Sequence, residues 1–506
     1  MANVAVTCIK NGRSDSFGRP LVSGTYYPSV EIETAKALWN SGYVSVADAS
    51  VFDQDPLAGT SPLDDFNIAR ALSLSRQPEQ TSANLAAELA ALGLRSPGYG
   101  IGVPNTPGFG VGICPEALPA GVFGMSGYTD PASANRGNYQ SYDGSVMCWI
   151  PAFYMKWGTG TNGLAVNACS IISATDISAA DAFAQGYALH RAFINGGQVK
   201  SGFFIDKYQC SRSAAGIAVS VKNGAPLSSN AAHNGFSTLS GSPANAYYGA
   251  VAAARTRGSK YFPALRFHYD ALAKLHYAHA SAATSTAYCA YYDPTNNFPK
   301  GNNNNALRDT NDAAVIYTAD GYSNCGLTGS GTPFAKTTHN GQSCGVADLN
   351  GNLWEISLGL TSDGTSYYVL KPSVDVTTLT DGNTLATDVW GAAGRAANYD
   401  VFASPFGVLD GAGVTRLFGN ASQVFSSALS GDGYTTSCLG IPIAGGVGGS
   451  NAFGNDALYD HRPNDMCAIS GGNWSPGSNA GVWAFGLYSA RGDSSADVGF
   501  RCVLYP

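Results

Sequence analysis

The stretch just before the C-terminus is the feature that most restricts how this chain can fold. It reads GGNWSPGSNAGVWAFGLYSARGDSSADVGFRC, from Gly471 to Cys502. Its ends carry residues with strict packing requirements, a Gly-Gly-x-Trp start and a Gly-Phe-Arg finish. The residues between them follow neither the helical period of about 3.6 residues nor the strand period of about 2. We therefore expect an irregular segment whose two ends are fixed to a rigid scaffold.

Low charge and abundant glycine restrict the rest of the chain. Charged residues make up 12% of the 506 residues, about half the value of roughly 25% usual for soluble domains. Glycine contributes 62 residues. Such a composition favours short strands and long loops over a helical protein. The net charge of -7 and the lack of a Lys/Arg run argue against a nucleic acid partner.

The cysteines and the N-terminus bear on where the protein is made. The chain has 11 cysteines, an odd number, and none forms a C-x-x-C pair. We therefore expect mostly buried free thiols and a reducing compartment. The N-terminus, MANVAVTCIKNGRSDS, lacks the apolar core of a signal peptide. No apolar run approaches the roughly 18 residues of a membrane span, so we expect no membrane insertion.

The texture of the sequence divides the chain into three regions. Residues 1–55 hold three predicted strands (VAVTCI, RPLVSGTYYPSV and YVSVAD) and the short helix IETAKALWNSG, which suit a small α/β module. Residues 56–139 form a predicted connector, with helix over 63–95 and then Gly/Pro-rich loops that lack the Lys-Ser/Thr of a phosphate-binding loop. Residues 140–506 combine short strands, Asn/Gly loops and regularly placed aromatic residues.

Four stretches of the region 140–506 carry a family resemblance. In chain order they are GFFIDKYQCS (202–211), ARTRGSKYFPALRFHYDALAKLHYAHA (254–280), GVADLNGNLWEISLG (345–359), and ISGGNW followed by VGFRC. Together they resemble formylglycine-generating-enzyme-like domains. The resemblance implies an α+β, C-type-lectin-like fold. In that fold the stretches form a strand, a loop with the core helix, a turn, and the closing segment.

The residues of the third stretch leave two interpretations open. Asn350-Gly351 is a turn signal, because glycine adopts positive φ at little cost, and Trp354 offers a large ring for burial. Alternatively, oxygens of Asp348, Asn350 and Glu355 could bind Ca²⁺. We expect the self-stabilised turn and no cofactor, with Ca²⁺ as the alternative.

Two histidines in the second stretch raise the question of a metal site. His276 and His279 would share one face of a helix. Neither an H-E-x-x-H pattern nor an acidic third ligand accompanies them. We expect a packed helix face and no metal.

The enzymatic chemistry of the resembled family depends on two cysteines. Formylglycine-generating enzymes hold a catalytic metal with two thiolates placed just after the Gly-Gly-x-Trp. Here that place holds residues 475–479, Ser-Pro-Gly-Ser-Asn, and no cysteine occurs between Cys467 and Cys502. Hydroxyls and amides are poor ligands for a soft metal. We expect no catalytic residues and no enzyme, and keep a formylglycine-generating or sulfatase-modifying oxidoreductase as the alternative.

The closing segment also resembles the variable proteins of diversity-generating retroelements, a group that includes phage tropism determinants. It shares with them the frame GGNW, GSNAGVW, Leu487, Ala490-Arg491 and VGFR. The resemblance implies a variable segment over about 471–501, in which diversified Asn codons yield residue types other than Trp, Lys, Glu, Gln and Met. It assigns to the variable, ligand-binding slots Ser475, Pro476, Ala484, Phe485, Gly486, Tyr488, Ser489, Gly492, Asp493, Ser494, Ser495, Ala496 and Asp497. It assigns to the fixed scaffold Gly471, Gly472, Trp474, Trp483, Phe500, Arg501 and Trp354.

This second resemblance implies a function. It suggests a retroelement-diversified receptor-binding protein at a phage tail-fibre tip, with a host cell-surface protein or glycan as ligand. The module 1–55 would attach to tail or virion proteins, the protein would be a homotrimer made in the bacterial cytoplasm, and its final location would be the virion. An undiversified virion structural or decoration protein is a further alternative. We expect the slots to be exposed together, Trp474 and Phe500 to be buried, and residues 459–462 (Tyr-Asp-His-Arg) to border the same surface.

Overall fold

The chain forms two compact units. The first comprises Met1–Pro97 and Thr175–Ala179, and the second comprises Gly98–Ala174 and Ala180–Pro506. The computed structural model describes the backbone of strands Asn3–Cys8, Tyr26–Glu31 and Val44–Val46 and of residues 99–379, 392–403, 409–419, 423–444 and 451–506.

The first unit contains a three-stranded antiparallel sheet. Strand β1 (Asn3–Cys8) lies between β2 (Tyr26–Glu31) and β3 (Val44–Val46). These are three segments that the alternating apolar pattern predicts as strands. The helix predicted from IETAKALWNSG and the connector helix predicted over 63–95 lie outside the described residues.

The remaining described chain is rich in short strands and loops and has few helices. Its strands are β4 (Val122–Gly124), β5 (Asn138–Ser141), β6 (Val146–Pro151), β7 (Phe153–Trp157), β8 (Cys169–Ser173), β9 (Ala188–Leu189), β10 (Ile194–Asn195), β11 (Gln198–Val199), β12 (Gly202–Asp206), β13 (Ser211–Arg212), β14 (Ala218–Val219), β15 (Phe262–Pro263), β16 (Trp354–Ser357), β17 (Leu360–Ser362), β18 (Tyr367–Leu370), β19 (Tyr399–Phe402), β20 (Val414–Leu417), β21 (Ala457–Asp460), β22 (Ala468–Ser470), β23 (Phe485–Gly486), β24 (Val498–Gly499) and β25 (Cys502–Leu504). Its α-helices are α1 (Ala179–Ala184), α2 (Gly249–Arg255), α3 (Arg266–Ala282), α4 (Ala392–Asn398) and α5 (Gly431–Cys438). The chain is thus a mixed α+β protein, as expected.

Two six-stranded sheets organise the second unit. The first has the order β15-β25-β12-β6-β5-β4, so the C-terminal strand β25 pairs with β12 near its middle. The second has the order β20-β21-β23-β22-β16-β24. In this second sheet β23 is parallel to β21 and antiparallel to β22, and β24 is parallel to β16. The second sheet therefore combines four strands that precede the Gly471–Cys502 segment with two strands, β23 and β24, from the segment itself.

Helix α3 is the core helix that the resemblance implies. Every residue from Arg266 to Ala280 is buried, although the helix carries several charged side chains. Lys274 Nζ lies 3.0 Å from Asp270 Oδ1, and His190 Nε2 lies 2.8 Å from Asp270 Oδ2. Buried charges are tolerated when they are paired, so these contacts explain how a polar helix can lie in the core.

His276 and His279 of α3 are held by contacts to neighbouring protein groups. His276 Nδ1 lies 3.0 Å from the Tyr291 hydroxyl, and its Nε2 lies 3.1 Å from the Ala452 carbonyl oxygen. His279 Nδ1 accepts a hydrogen bond from Asn105 N, and its Nε2 lies 2.8 Å from the Tyr288 carbonyl oxygen. Protein groups thus occupy all four ring nitrogens, so the expectation of a packed helix face is confirmed.

The predicted boundary at residue 140 is too late. Ile101 and Phe109 are fully buried in the main core of the second unit, and Phe109 stacks on the His279 ring with centroids 5.1 Å apart. Strands β4 and β5 also belong to the first six-stranded sheet. Residues 99–139 are therefore part of the folded domain and not of a connector. Apolar residues of this region such as Ile101 and Phe109 lie in loops and reach the core singly. They therefore show no helical or strand period that would have marked them in the sequence.

The described cysteines are free thiols. Ten of them carry no disulfide, and of these all but the half-buried Cys169 are buried, as the sequence predicts. Cys8 lies outside the residues whose side chains are described. No helix in the described ranges combines the length and the apolar character needed to cross a membrane.

Candidate functional site

The four resembling stretches meet at one buried ion pair. Arg501 donates from Nε to Glu355 Oε2 at 2.5 Å and from Nη2 to Glu355 Oε1 at 2.6 Å. Tyr269 donates its hydroxyl to the same carboxylate at 2.6 Å, and Gln209 donates at 3.2 Å. Burial alone would lower the pKa of Arg501, but the Glu355 carboxylate raises it above its usual value. One residue from each stretch thus takes part in a single network.

The same arginine fixes the exit of the closing segment to the first sheet. Arg501 Nη1 donates to the Asp206 carbonyl oxygen at 3.1 Å, and Nη2 donates to the Ala347 carbonyl oxygen at 2.9 Å. The next residue, Cys502, donates its backbone N–H to the Asp206 carboxylate at 2.8 Å. Phe500 is 1% exposed and contacts the Phe236 ring. The expected burial of Phe500 is confirmed.

The entrance of the segment depends on two glycines. Gly471 and Gly472 have φ values of +91° and +86°, in the left-handed region that favours glycine. A Cβ on Gly472 would lie 2.5 Å from the Ala480 Cβ. Gly471 also donates to the Ala484 carbonyl oxygen and accepts from Gly481 N, which closes a compact loop.

The three scaffold tryptophans are buried. Trp474 is 9% exposed and packs with Leu353 and Cys325. Trp483 and Trp354 are 0% and 4% exposed. The burial expected for Trp474 is therefore confirmed, and the other two rings belong to the main core of the second unit.

The turn of the third stretch is built from internal hydrogen bonds. Asn350-Gly351 forms the turn, with Gly351 at φ +80° and no room for a Cβ beside the Asn302 carbonyl oxygen. Asp348 accepts from Gly329 N at 2.6 Å and from the Tyr317 hydroxyl at 3.3 Å. Burial raises the pKa of Asp348 to about 6.

The calcium alternative does not fit this turn. Asn350 Oδ1 accepts from Asn303 Nδ2 at 2.9 Å, and Glu355 is paired with Arg501. N–H and O–H donors and a guanidinium thus face the oxygens of Asp348, Asn350 and Glu355. A Ca²⁺ site needs about 6–8 oxygens directed at the ion, so these residues serve the hydrogen-bond network instead.

Some predicted variable slots are not on the surface. Ala484, Phe485, Gly486 and Ser489 are buried, so the expectation that the slots are exposed together is wrong for them. Phe485 and Gly486 form β23, which pairs with β21 and β22 inside the second sheet. The Arg266 guanidinium lies 4.3 Å from the centre of the Phe485 ring. A two-residue strand has no detectable period, which is why the sequence pattern did not reveal it.

The remaining slots are exposed or half-buried, and we call them the display patch. The display patch consists of Ser475, Pro476, Tyr488, Gly492, Asp493, Ser494, Ser495, Ala496 and Asp497. Tyr488, at 42% exposure, is its one large hydrophobic side chain.

Asp497 connects the part of the display patch at residues 475–476 with the part at residues 488–497. Its carboxylate accepts hydrogen bonds from Asn473 Nδ2 and from the Ser495 hydroxyl. Asn473 Oδ1 in turn accepts from Ser475 N at 2.9 Å. The Asp497 carbonyl oxygen accepts from Trp354 N at 2.9 Å, and the Trp354 ring lies 6.4 Å from the Tyr488 ring. Ser475, Ser495, Asp497 and Tyr488 therefore belong to one continuous surface.

Of residues 459–462, which were predicted to border this surface, two contact Tyr488 and two do not. Tyr459 and His461 are half-buried, and their rings contact Tyr488 at centroid distances of 5.9 Å and 6.0 Å. Asp460 is 0% exposed and accepts from the Tyr367 hydroxyl at 2.9 Å, so it does not border the surface. Arg462 is half-buried, with its guanidinium 5.6 Å from the Tyr367 ring. Two of the four residues thus extend the display patch.

A loop that the sequence did not single out supports the second half of the display patch. Ser229 donates from N to the Val498 carbonyl oxygen at 2.8 Å, and its hydroxyl accepts from Ser495 N at 2.9 Å. Tyr247 donates from N to the Asp493 carbonyl oxygen at 3.1 Å. The supporting residues lie more than two hundred positions earlier in the chain, and no motif marks them. Because these bonds reach the backbone of the segment, most of them do not depend on which side chains the slots carry.

Comparison with known proteins gives matches among solved structures alone. No family model and no curated protein matches the chain. The chain is similar to "Major Tropism Determinant U1 Variant" at 12% identity and a TM-score of 0.27, over 76% of this chain and 67% of that chain. It is also similar to "Major Tropism Determinant I1 Variant" at 11% identity and a TM-score of 0.27, over 71% of this chain and 63% of that chain. The matched structures belong to the group that the closing segment resembles.

Proposed function

We propose that this chain is a receptor-binding protein that recognises its ligand through the display patch. The observation that carries the proposal is that one segment combines a buried, hydrogen-bonded frame with exposed side chains at several of the predicted slots. Buried frame residues and main-chain hydrogen bonds hold the backbone of the segment in place. The display patch exposes small or polar side chains of several types around one aromatic residue, Tyr488. Such a surface can change its side chains without changing its fold.

The physics of recognition favours this arrangement. A backbone that is already ordered loses little entropy on binding, so more of the contact energy appears as affinity. Tyr488, with Tyr459 and His461 beside it, supplies rigid aromatic area, and Asp493, Ser494 and Ser495 supply adaptable polar contacts. Antibody loops use the same combination of aromatic anchors and small polar residues.

The resemblances suggest a more specific identity for the protein. We propose a C-type-lectin-like domain, diversified by a retroelement, that a phage displays at its tail-fibre tip against a host-surface protein or glycan. The module 1–55 would attach to the virion. A homotrimer would raise weak single-site affinity through multivalent contact. No thiol lies at the place where the formylglycine-generating enzymes hold their metal, so we propose binding without catalysis.

Adsorption to host cells tests the proposed function. Purified protein would be incubated with a panel of bacterial strains, and bound protein would be measured by flow cytometry. Tyr488→Ala and Asp493→Ala should each reduce binding to the recognised strain by at least about 10-fold if they contact the ligand at its centre. Tyr142→Ala, at an exposed tyrosine that contacts Gly121 instead of the slots, is the matched control. Equal binding by all variants would refute the proposal.

A genomic observation tests the diversification separately. The proposal requires a near-copy of the DNA encoding the 471–501 segment, differing mainly at adenines, beside a reverse-transcriptase gene. Without such a copy, an undiversified binding or decoration protein would be the better description.

Two solution measurements test the remaining parts. Light scattering should give a mass about three times the 52.2 kDa of the chain, and a monomer would contradict the trimer. Incubation with copper and a cysteine-containing peptide should give no formylglycine in the peptide. Turnover of the peptide would instead support the oxidoreductase alternative.

A further inference from the structure

Beneath the display patch lies a buried group of three residues that the proposed function does not use. His233, Asp320 and Cys325 each place a potential ligand atom within 4.8 Å of the other two. The side chains of His233 and Asp320 are 2% and 1% exposed, and Cys325 is fully buried. The group is separate in sequence from the closing segment but touches it at Ala496.

The surroundings of the His233 ring require a proton or a cation at one position, between Nε2 and the Asp320 carboxyl group. Nδ1 lies 2.6 Å from the Ala496 carbonyl oxygen, which only accepts hydrogen bonds, so Nδ1 carries a hydrogen. Nε2 lies 2.6 Å from Asp320 Oδ2. In the neutral ring Nε2 would then present a lone pair to the lone pairs of a carboxylate. A proton, carried by the ring or by the carboxyl group, fits between these atoms at 2.6 Å, and a metal cation fits once the two atoms move apart.

The Nδ1 contact also has the form that metal-bound histidines show. A histidine that binds a metal through one nitrogen usually donates its other N–H to a backbone carbonyl or a carboxylate, which fixes the ring. The Ala496 carbonyl oxygen does this for His233. The Tyr322 ring stacks on His233 with centroids 4.3 Å apart, which further restricts the ring.

A tight turn sets the positions of the other two residues. Asp320 N donates to the Cys325 carbonyl oxygen at 3.0 Å, and Cys325 N donates to the Tyr322 carbonyl oxygen at 3.0 Å. Asp320 Oδ1 accepts from Tyr322 N at 2.7 Å, which leaves Oδ2 directed at His233. The turn thus presents one carboxylate oxygen and one thiol on the same side.

A second group of similar composition shows how a buried carboxylate is neutralised by a neighbouring arginine. Asp206, Cys210 and Cys502 are equally close together, but Arg257 Nη1 lies 2.6 Å from Asp206 Oδ1 and supplies the positive charge. Among the described residues, the ion pair recorded for Asp320 is with His233, and no lysine or arginine joins it. A cation bound to the first group would therefore face the Asp320 carboxylate without competition from an arginine or lysine, whereas in the second group Arg257 already neutralises Asp206.

We propose that His233 Nε2, Asp320 Oδ2 and Cys325 Sγ form a Zn²⁺ site. One imidazole, one carboxylate and one thiolate are ligands that Zn²⁺ accepts at about 2.0–2.3 Å, and a water molecule would complete the tetrahedron. His233 Nε2 and Asp320 Oδ2, now 2.6 Å apart, would separate to about 3.3 Å, the spacing of two such ligands around a tetrahedral Zn²⁺. The ion would join the loop that carries His233, the 320–325 turn and, through the His233 ring, the backbone at Ala496. The site does not depend on whether the display patch binds a receptor.

Metal analysis and cobalt spectroscopy test the site. Protein purified without chelators should contain about one equivalent of zinc per chain by mass spectrometry. After chelator treatment, added CoCl₂ should give a thiolate-to-cobalt charge-transfer band, which requires a coordinating cysteine. Cys325→Ser should abolish the band. It should also weaken zinc binding by more than about 10-fold, because loss of a group that only supports a ligand already weakens metal binding about 10–100-fold. Cys289→Ser, at another fully buried cysteine, is the matched control and should keep the band.

Two outcomes would overturn the site. Wild-type protein that retains no zinc and shows no charge-transfer band would mean that a proton alone, and no metal, joins His233 to Asp320. A band that survives in Cys325→Ser but is lost in Cys289→Ser would place the metal elsewhere. If Cys325→Ser does not fold, the wild-type titration with CoCl₂ still decides between the first outcome and the proposal.

Discussion

At the scale of single residues, the closing segment depends on groups that cannot be exchanged. Arg501 makes two hydrogen bonds to Glu355 in a site that water does not reach, and no other side chain offers the same planar fork of donors. Gly471 and Gly472 adopt backbone conformations that other residues reach only with strain. These residues determine where the segment begins and ends.

Removing the buried arginine should be costly. Arg501→Met leaves the Glu355 carboxylate buried without its partner, which should reduce the free energy of unfolding by about 3–5 kcal/mol. The matched control is Lys336→Met, because the Lys336–Asp312 pair is 28% and 20% exposed and should contribute at most about 1 kcal/mol. Urea unfolding of both variants measures the difference. Similar losses in the two variants would contradict a structural role for the Arg501 pair.

The two kinds of glycine in the segment should respond differently to the same substitution. Gly472→Ala places a Cβ against Ala480 at a positive φ and should destabilise the protein by about 1–3 kcal/mol. Gly492→Ala adds a methyl group in open space without a positive φ, so its effect should stay within about 0.5 kcal/mol. Thermal unfolding distinguishes them, and an equal shift in Tm would show that the entrance of the segment tolerates change.

At the scale of elements, the segment is partly a strand and partly a displayed loop. Its middle, β23, lies between β21 and β22, whereas residues 492–497 lie outside the sheet and are supported by the loop around Ser229, before β24 pairs with β16. Buried and displayed slots therefore alternate along a stretch that looks uniform in sequence. Diversification limited to the displayed slots would preserve the sheet.

The two aromatic slots provide a direct test of this division. Phe485→Ala empties a buried position in the sheet and should cost about 3–5 kcal/mol of unfolding free energy. Tyr488→Ala removes a ring that is 42% exposed and should cost no more than about 1–2 kcal/mol. Chemical denaturation with both proteins at the same pH gives the comparison. A larger loss for Tyr488→Ala would mean that the two slots have been assigned to the wrong faces.

At the scale of the whole molecule, buried neutral histidines link stability to pH. Burial lowers the pKa of His276 and of His339 to about 3. In the unfolded chain their pKa returns to about 6.5, so the unfolded state binds more protons in acid. This contribution to stability is complete above about pH 6.5 and is lost as the pH falls toward 3.

Acidification should therefore destabilise the protein through these two side chains. Between pH 7 and pH 5 each histidine should remove about 2 kcal/mol from the free energy of unfolding. His276→Gln should lower stability at pH 7 but reduce the loss between pH 7 and pH 5 by that amount. Urea titrations at both pH values measure the change, and an unchanged pH dependence in the variant would show that His276 is protonated in the folded state.

Short-range rules explain what could be predicted from the sequence about the fold and the frame. Asn350-Gly351 had to be a turn, and the apolar alternation around residue 205 had to be a strand, because backbone stereochemistry and burial act over a few residues. The burial of Trp474 and Phe500 was expected from the resemblance of the closing segment to the variable proteins, which assigns both residues to the fixed frame. The same short range made the boundary at residue 140 wrong, since Ile101 and Phe109 enter the core from loops without a period.

By itself, the sequence determined that this chain is a loop-rich α+β protein with free buried thiols and a C-terminal segment held at both ends. Only the tertiary structure decided which slots of that segment face water. Phe485 and Tyr488 are of similar chemical character and three positions apart, yet one pairs within the second sheet and the other stands beside Tyr459 on the surface. The physical reason is that exposure depends on partners such as Leu458, Ser470 and Ser229. Those partners are distant in sequence and carry no local signal of the contact they will make.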